Sequence, residues 1–597
     1  MPPQERSMTR LVPYLLAIAS GLALALALPL VVPFLSIREV DPAGRLELLA
    51  WVALVPAFVA LRRARGAWQA ARLGLAGGLA YFFAAIYWVS HAMTAFGGLS
   101  LAFSVFALSL LVLYMAAHWA AAFAVAQRIR ARLGWPAWAV LPPVWVAFEL
   151  SRNYLFSGFP WANVGYTQAR TPVVAQLAAA TGVYGIAALV VLVNAVLAEA
   201  LEARRERRPL PRRALAGTAA LVAAVVAGGA LRVRAVRAEA AAAPSITVGV
   251  VQPNVDQSVK NAARNHRAQI LARLVPPTLE ADRAGADLVA WPEAAYPLYV
   301  APDVRSFATP AAGLPPLERA HVLLGATTVE WTRGANGERV PRVGNAQFMV
   351  SPGRQVLGKY LKHHLVPFGE YVPLQRWLPF VGHLVPSLAP AEPGRELTVL
   401  EFPLAAAPAA GPALASAVPG APAVGDDAPP PAAAGPVRVA PMICYDAIFP
   451  EINVAFARGE PEPELLVNPT NDAWYGYSSG PYQFLAIVRM RAVEARRAVV
   501  RPAYAGVSAV ILPTGELAPG ALDVGPVDPD LAPDPQEPAR LLLARVPRLR
   551  GRTLYTTVGD LFAWASALVA AAALAATHPA LARRVRREGR DGRSAAA

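Results

Sequence analysis

Long apolar runs dominate the first 231 residues of the chain. A bilayer-spanning helix needs about 20 mostly apolar residues, because each residue advances a helix by ~1.5 Å and the hydrocarbon core is ~30 Å thick. The sequence therefore predicts a polytopic α-helical membrane domain with about eight transmembrane helices. The predicted spans lie at 11–35, 47–61, 73–89, 99–126, 136–150, 172–201, 214–231 and 559–577.

The arginine distribution predicts how these helices are oriented. With both termini in the cytoplasm, 21 arginines fall on the inside, whereas the short outside loops hold four, Arg38, Arg45, Arg152 and Arg170. Cytoplasmic loops of membrane proteins are enriched in basic residues. We therefore expect the large segment 232–558 to face outward. The same distribution accounts for the formal charge of +15, so nucleic-acid binding is not expected.

The segment that follows the first seven spans has a different pattern. From residue 245 onward, short β-branched runs alternate with stretches long enough for helices, which predicts an α/β domain. Residues 405–436 form an Ala/Pro-rich tract with little capacity to pack, and we expect a disordered surface insertion there. The predicted domains are a membrane domain at 1–231, an α/β domain at 232–558, and a final helix with a basic cytoplasmic tail at 559–597. The predicted strands are 245–252, 287–291, 321–329, 346–350, 437–444, 465–468 and 507–512.

Three short motifs of the predicted α/β domain carry residues that are hard to explain by packing. Glu293 follows an apolar strand, Lys362 precedes an apolar turn, and Cys444, the only cysteine of the chain, ends another strand. Each alone is usually a turn, solvated or inert core residue. Together they supply an acyl-transfer site: a thiol nucleophile, a carboxylate that takes its proton, and a cation beside the developing oxyanion. We therefore predict Glu293 as the base, Lys362 as the cation and Cys444 as the nucleophile.

A Cys/His pair remains open as an alternative thiol mechanism, with His363 or His364 as the base. The two adjacent histidines do not predict a zinc site, because no third ligand has convincing spacing. Neither a metal nor an organic cofactor is expected.

The aromatic loop between the fifth and sixth predicted spans has two interpretations. It contains Gly-Phe-Pro-Trp at 158–161 and Gly-Tyr-Thr-Gln at 165–168. Trp and Tyr commonly form a belt at the membrane–water interface. The alternative is a rigid aromatic lip that helps to admit a lipid chain to the outward domain.

These motifs resemble the apolipoprotein N-acyltransferase branch of the carbon–nitrogen hydrolase (nitrilase) superfamily. The resemblance covers nearly the whole chain and implies an extracytoplasmic, nitrilase-like αββα sandwich at the outer face of a bacterial inner membrane. It rests on Glu293, Lys362 and Cys444 in that order, on Lys-x-His-Leu-Val-Pro-Phe-Gly-Glu-Tyr at 362–371, on Asn-Asp-Ala-Trp-Tyr-Gly at 471–476, on Gly-Phe-Pro-Trp and on Arg-Ala-Val-Glu at 491–494.

The resemblance also implies a two-step acyl transfer without a cofactor. Cys444 would take the sn-1 acyl chain of a phospholipid, typically phosphatidylethanolamine, as a thioester. The amino group of the N-terminal diacylglyceryl-cysteine of an apolipoprotein would then accept the chain as an amide, in the last step of bacterial lipoprotein maturation. Glu370 is implied as a supporting catalytic residue, and Tyr445, Asp446 and Trp474 are implied as substrate-binding residues.

The sequence departs from the family pattern at four positions. Asn261 stands where the family usually has Trp, Asp446 where it has Glu, and Phe484 and Tyr504 where we expect His and Asn. Two other functions stay open. One is a membrane-anchored amidase or nitrilase in which water resolves the thioester, and the other is a transport or lipoprotein-binding protein. The predicted spans hold few central charges and no duplicated half, which argues against transport.

Overall fold

The structure is a computed structural model that describes residues 3–31, 44–95, 97–255, 259–260, 262–263, 265–333, 337–372, 391–404, 435–476, 478–523 and 539–578. Residues 405–434 of the predicted insertion lie outside the described residues, as do Asn261 and the predicted basic tail.

The N-terminal region is helical, as predicted. Four of its helices, α4, α6, α10 and α11, are long and apolar enough to cross a membrane. Each of the eight predicted spans contains helical residues, but the span at 47–61 is divided into short pieces and the one at 172–201 begins with two single turns. Eight crossings therefore stay a prediction. The helices of this region are α1 (Pro3–Leu26), α2 (Ala50–Ala53), α3 (Val55–Arg62), α4 (Ala67–Ile86), α5 (Trp88–Ala95), α6 (Leu101–Leu133), α7 (Ala137–Tyr154), α8 (Pro172–Ala175), α9 (Ala178–Thr181), α10 (Val183–Arg205) and α11 (Arg212–Ala242).

Small residues let the membrane helices pack backbone to backbone. A Cβ added at Gly74 of α4 would lie 2.4 Å from the carbonyl oxygen of Trp119 on α6. Without a hydrophobic force between helices in lipid, such close approach supplies much of the packing energy. Helix α11 then runs past residue 231, the predicted domain boundary, and ends shortly before the first strand at Ser245.

The α/β region contains two six-stranded sheets. The strand order is β12-β1-β2-β3-β4-β5 in one sheet and β11-β10-β9-β8-β7-β6 in the other. All seven predicted strands are present, but the one predicted at 346–350 begins seven residues earlier, at Arg339, and the one predicted at 321–329 extends to Arg333. The strands are β1 (Ser245–Gln252), β2 (Leu288–Ala290), β3 (His321–Arg333), β4 (Arg339–Val350), β5 (Val356–Leu361), β6 (Leu400–Phe402), β7 (Val437–Pro441), β8 (Leu465–Val467), β9 (Val499–Arg501), β10 (Val507–Ile511), β11 (Leu522–Asp523) and β12 (Arg540–Pro547).

Helices cover the outer faces of both sheets. Helix α12 (Arg267–Arg283) packs on β1 and β2, and α14 (Gly480–Ala495) packs on β9 and β10 of the second sheet, with α13 (Pro450–Arg458) beside α14. Every residue of β2 and β8 is buried, as expected for parallel strands with both faces covered. The layers are therefore α, β, β and α. Two further helices, α15 (Leu554–Val558) and α16 (Leu561–Ala576), return the chain to the membrane helices.

The sheet topology brings four chain segments to one place. Glu293 follows β2, Lys362 follows β5, Cys444 follows β7 and Thr470 follows β8. Because β7 and β8 are parallel neighbours, their carboxyl ends lie at the same edge of the second sheet. The packing of the two sheets places the ends of β2 and β5 opposite that edge.

Candidate active site

The structure brings the three predicted catalytic residues into direct contact. Lys362 Nζ lies 2.8 Å from Glu293 Oε1 and 3.0 Å from Glu370 Oε1. The Glu293 carboxylate is close enough to the Cys444 thiol for its charge to raise the pKa of the thiol. Lys362 is only 1% exposed, and Glu293 and Cys444 are 6% exposed. The site is therefore a buried cluster in which one ammonium contacts two carboxylates.

Cys444 occupies a tight turn between β7 and a short 3₁₀ helix, Cys444–Ile448. Its φ angle is +46°, in the left-handed region that a side chain with a Cβ rarely adopts. Such a conformation persists only where the surroundings enforce it. Here the Cys444 amide donates a 2.8 Å hydrogen bond to the carbonyl of Pro469, and the Asn468 side chain donates to the carbonyls of Met442 and Cys444.

The charges of the site keep the resting thiol protonated. Burial raises the pKa of Cys444 well above its usual range, and the Glu293 carboxylate adds to that effect more than Lys362 opposes it. Burial also works to raise the pKa of Glu293, but the charges of Lys362 and Lys260 outweigh it and the pKa is lowered. The pKa of Lys362 lies well above its usual value, because its two carboxylate partners overcome the effect of burial. An ionised base thus faces a neutral thiol.

Asn345 links the two carboxylates, and sequence reasoning missed it. Its side-chain nitrogen donates to Glu293 Oε1 at 2.7 Å and to Glu370 Oε1 at 3.1 Å. Its backbone carbonyl accepts a 2.9 Å hydrogen bond from the amide of Lys362. Glu370 in turn accepts a 2.9 Å hydrogen bond from the amide of Val366. The only signal in the sequence is an amide side chain directly before a predicted strand.

Thr470 is a second residue that sequence reasoning missed. Its hydroxyl lies 3.3 Å from the sulfur of Cys444 and 3.1 Å from Asp472 Oδ1. Arg501 holds both oxygens of Asp472 at 2.9 Å, and neither side chain of this ion pair is exposed. A threonine at the end of a buried strand was the available signal.

Lys260 is a third missed residue. Its ammonium donates a 3.1 Å hydrogen bond to the backbone carbonyl of Glu293 and lies 4.5 Å from the ring centre of Tyr504. The sequence feature that could have indicated Lys260 is the rarity of lysine, since the chain has only three lysines, Lys260, Lys359 and Lys362. Lys359 is exposed on β5.

The three predicted substrate-binding residues lie around the nucleophile in different settings. Asp446 is fully buried, and its carboxylate accepts hydrogen bonds from the amides of Ile443 and His364 and from the Tyr360 hydroxyl. Tyr445 is buried, and its hydroxyl lies 3.4 Å from the carbonyl of Gly158 in the membrane region. Trp474 is half-buried in a short 3₁₀ helix, Asp472–Tyr475. Contact of any of them with substrate stays a prediction.

The geometry favours Glu293 over a histidine as the base. The ring of His364 stacks on Phe449 with 3.8 Å between centroids, and burial lowers its pKa to about 4. Its backbone amide serves Asp446. Among the charged groups near the thiol, the Glu293 carboxylate has the largest effect on the pKa of Cys444.

The aromatic loop of the membrane region lies at the junction with the α/β domain. Trp161 is 1% exposed, so it packs inside the protein and does not face lipid as a residue of an interfacial belt would. Its ring stacks on Phe159 and packs against Tyr475 and Phe484 of the α/β domain. The aromatic residues of the membrane loop and those of the α/β domain therefore form one cluster at the junction of the two regions.

Comparison with known proteins agrees with this architecture. A sequence model described as the apolipoprotein N-acyltransferase N-terminal domain matches residues 20–196, and one described as carbon–nitrogen hydrolase matches residues 247–524. The apolipoprotein N-acyltransferase of Geobacter metallireducens is 33% identical over 568 residues, covering 94% of each chain. The chain belongs to the apolipoprotein N-acyltransferase family. It is accordingly an acyltransferase.

Other similar proteins span both regions or the α/β region alone. The apolipoprotein N-acyltransferase of Rhodopseudomonas palustris is 31% identical over 510 residues, covering 81% of this chain and 85% of that relative. The crystal structure of Saccharomyces cerevisiae Nit3, a nitrilase-superfamily member, covers 51% of this chain and 90% of its own, with 16% identity and a TM-score of 0.31.

Two departures from the pattern of apolipoprotein N-acyltransferases lie beside the site. The Phe484 ring packs on Trp161 and lies 5.0 Å from the guanidinium of Arg501. The Tyr504 ring lies beneath Lys260. In both places an aromatic face contacts a cation.

Proposed function

We propose that this acyltransferase transfers the sn-1 acyl chain of a phospholipid, typically phosphatidylethanolamine, to the amino group of the N-terminal diacylglyceryl-cysteine of apolipoproteins. Family membership supports acyl transfer, and the four long apolar helices support a membrane location. One observation carries the proposal. The buried Glu293–Lys362–Cys444 cluster adjoins the membrane region, where Tyr445 contacts Gly158.

In the first half-reaction, the sulfur of Cys444 attacks the ester carbonyl carbon while its proton passes to Glu293. A neutral thiol near an ionised carboxylate is the starting state that this transfer needs. Lys362 and the backbone amide of Tyr445 stabilise the oxyanion, an effect worth ~3 kcal/mol per donor. The tetrahedral intermediate then expels the lysophospholipid alkoxide, which takes the proton from Glu293.

In the second half-reaction, the acceptor amine loses a proton to Glu293 and attacks the thioester carbonyl. The intermediate breaks its carbon–sulfur bond, and the departing Cys444 thiolate recovers the proton. No other acyl activation is required, because the thioester retains the reactivity of the donor ester. Neither half-reaction draws on a metal or a cofactor.

The neighbouring residues position this machinery. Glu370 and Asn345 hold Lys362 and Glu293 in place through the contacts that join their side chains. The Asp446 carboxylate accepts hydrogen bonds from the Tyr360 hydroxyl and the His364 amide. We therefore propose that Asp446 orients the loop after Lys362. Tyr445 and Trp474 line the substrate pocket in this proposal.

We also propose the orientation of the molecule in the bacterial inner membrane. The arginine distribution supports eight spans, cytoplasmic termini and a periplasmic α/β domain. The aromatic cluster at the junction supports a lipid-facing approach to Cys444, with Trp161 and Phe159 as the lip that admits the acyl chain. Both substrates carry lipid chains, so access from the outer leaflet suits them.

Intact-protein mass spectrometry tests the proposal directly. The enzyme is incubated with phosphatidylethanolamine alone, then with a diacylated lipopeptide, alongside Cys444→Ala and the exposed control Lys359→Met. We expect a fatty-acyl mass on the wild type and on the control, absent from Cys444→Ala and lost as the lipopeptide gains it. A folded enzyme without an adduct would contradict acyl transfer through Cys444. An adduct that decays to free fatty acid would favour a hydrolase.

A further inference from the structure

Lys260 contacts the catalytic base Glu293 through the backbone of that residue. Its ammonium donates to the backbone carbonyl of Glu293 at 3.1 Å, whereas Lys362 binds the carboxylate of the same residue at 2.8 Å. In a chain where 52 of the 55 basic residues are arginines, two of the three lysines thus contact Glu293. A lysine carries a compact point charge, and its pKa responds to burial more readily than that of arginine.

The formal charges of the site require such a cation. With a neutral thiol, the carboxylates of Glu293 and Glu370 and the ammonium of Lys362 leave one negative charge in excess. A buried site of that charge would oppose an oxyanion, because Coulomb interactions are strong where water is excluded. Lys260 makes the resting site neutral. Proton transfer from Cys444 to Glu293, with an oxyanion forming, keeps it neutral.

We propose that Lys260, held on the ring of Tyr504, is a second cation of the active site that keeps Glu293 ionised and offsets the charge of Glu370 while the oxyanion forms. This inference deepens the proposed function and rests on it. Because Lys260 acts through Glu293 and the field of the site, it is a positioning residue.

The ring of Tyr504 explains how the ammonium is held. Its centroid lies 4.5 Å from Lys260 Nζ, within the range of a cation–π interaction. Tyr504 is fully buried, and its backbone is fixed at both ends: its amide donates to Thr470 at 3.0 Å and its carbonyl accepts from Asn254 at 3.1 Å. The departure from Asn at this position therefore provides a rigid aromatic surface for the cation.

The protonation of Lys260 is poised near neutral pH. The pKa of Lys260 is lowered to about 8, and burial is the main cause. The nearby charge of Lys362 also lowers this pKa, whereas the charges of Glu293, Cys444 and Glu370 raise it. The ammonium also lowers the pKa of Glu293. Above pH ~8 Lys260 becomes neutral, the site regains its excess negative charge, and acyl transfer slows. The enzyme should therefore lose activity above pH ~8 as Lys260 loses its proton.

The test compares Lys260→Met and Lys260→Arg with Lys359→Met, which removes the exposed lysine. Single-turnover thioester formation is measured by mass spectrometry over a range of phosphatidylethanolamine concentrations up to saturation, and at saturation across pH. We expect Lys260→Met to slow thioester formation about tenfold to hundredfold, with little change in the lipid concentration that gives half the maximal rate. In the pH–rate profile of this variant, the pKa of the acidic limb should rise, and the alkaline limb near pH 8 should be absent. Lys260→Arg should restore most of the rate and move the alkaline limb upward.

Iodoacetamide alkylation of Cys444 provides a readout that needs no lipid. Removing the Lys260 charge should raise the thiol pKa and slow alkylation at fixed pH, even if the wild type forms no acyl adduct. A failure of the proposed function is therefore distinct from a failure of this inference. Unchanged alkylation and unchanged pH limbs in Lys260→Met would overturn the inference. A change confined to half-saturation would overturn it as well, since Lys260 would then bind the donor.

A second pair of variants covers the case in which Lys260→Met is unstable. Tyr504→Leu removes the aromatic face but retains Lys260, whereas Tyr504→Phe retains the face. We expect the alkaline limb to move to lower pH in Tyr504→Leu relative to Tyr504→Phe. If the alkaline limbs of the two pH–rate profiles were identical, a cation–π interaction between Lys260 and the ring of Tyr504 would be contradicted.

Discussion

The indole nitrogen of Trp161 donates a 2.8 Å hydrogen bond to the side-chain oxygen of Gln483. The side-chain nitrogen of Gln483 donates in turn to the carbonyls of Ala85 and Pro29, at 3.0 and 3.3 Å. One buried amide on helix α14 therefore binds three segments of the membrane region. The nucleophile and the aromatic loop share this rigid junction, so the stability of the junction should bear on catalysis.

We expect Gln483→Leu to destabilise the protein by ~2–4 kcal/mol. The leucine leaves the buried indole of Trp161 and two backbone carbonyls without partners, and an unsatisfied buried polar group costs ~1–3 kcal/mol. Thermal unfolding in detergent measures the change, with the exposed Gln355→Leu as the matched control. Equal melting temperatures for the two variants would show that the junction does not depend on this amide.

The pKa of Cys444 predicts slow alkylation at neutral pH. Burial and the nearby Glu293 charge favour the protonated thiol, and the thiolate is the reactive form. A raised pKa means that the thiolate fraction grows only above the usual range of a cysteine. We expect the rate of iodoacetamide alkylation to rise continuously beyond pH 9. Because Cys444 is the only cysteine, mass spectrometry reports this rate without ambiguity. A plateau below pH 8 would contradict the neutral-thiol starting state.

Glu293→Gln should change alkylation and acyl transfer in opposite directions. The substitution removes a negative charge that raises the thiol pKa and leaves the Lys362 ammonium beside the sulfur. Alkylation at pH 8 should therefore become faster. Thioester formation should fall by ~10²–10⁴-fold, because no group remains to take the thiol proton.

The same two assays, run on one preparation of Glu293→Gln, provide the control. A variant that had merely unfolded would alkylate rapidly but melt at a lower temperature. Slower alkylation in a folded variant would mean that Glu293 activates the sulfur by another route.

Much of the fold was predictable because local patterns determine it. The apolar runs and the β-branched runs each have a periodicity that acts over few residues. Strands β5, β6, β9, β11 and β12 were not predicted. Short length alone does not explain this, because β2 and β8 also have three residues and were predicted. β12 pairs antiparallel with β1 across almost 300 residues of chain. Such pairing depends on tertiary contacts that no local window contains.

Some residues of the candidate site could likewise be predicted from the sequence, and others could not. Glu293, Lys362 and Cys444 were predictable because their chemistry is unusual at the ends of apolar strands. Asn345 and Lys260 were not, because each acts only through a contact with Glu293 that the fold creates. The setting of Trp161 stayed open in the sequence, because its position at the domain junction depends on its contact with Gln483.

Thr470 gives the last prediction, since its hydroxyl has one hydrogen and two acceptors. Asp472 Oδ1 lies at 3.1 Å and the Cys444 sulfur at 3.3 Å, and the Thr470 hydrogen bond lowers the thiol pKa. The bidentate Arg501 offsets the charge of Asp472, which frees the hydroxyl to donate to sulfur as negative charge develops there. Thiolate character arises in both half-reactions, once on attack and once on departure.

We expect Thr470→Val to slow alkylation of Cys444 and both half-reactions by roughly tenfold, the effect of losing a hydrogen bond of ~1.4 kcal/mol. Valine has nearly the volume of threonine, so packing around the site should survive. Thr470→Ser retains the hydroxyl and should recover most of each rate. Single-turnover kinetics on lipid and lipopeptide measure the two steps separately. If valine and serine behave alike, the hydroxyl does not serve the sulfur, and its bond to Asp472 only shapes the strand end.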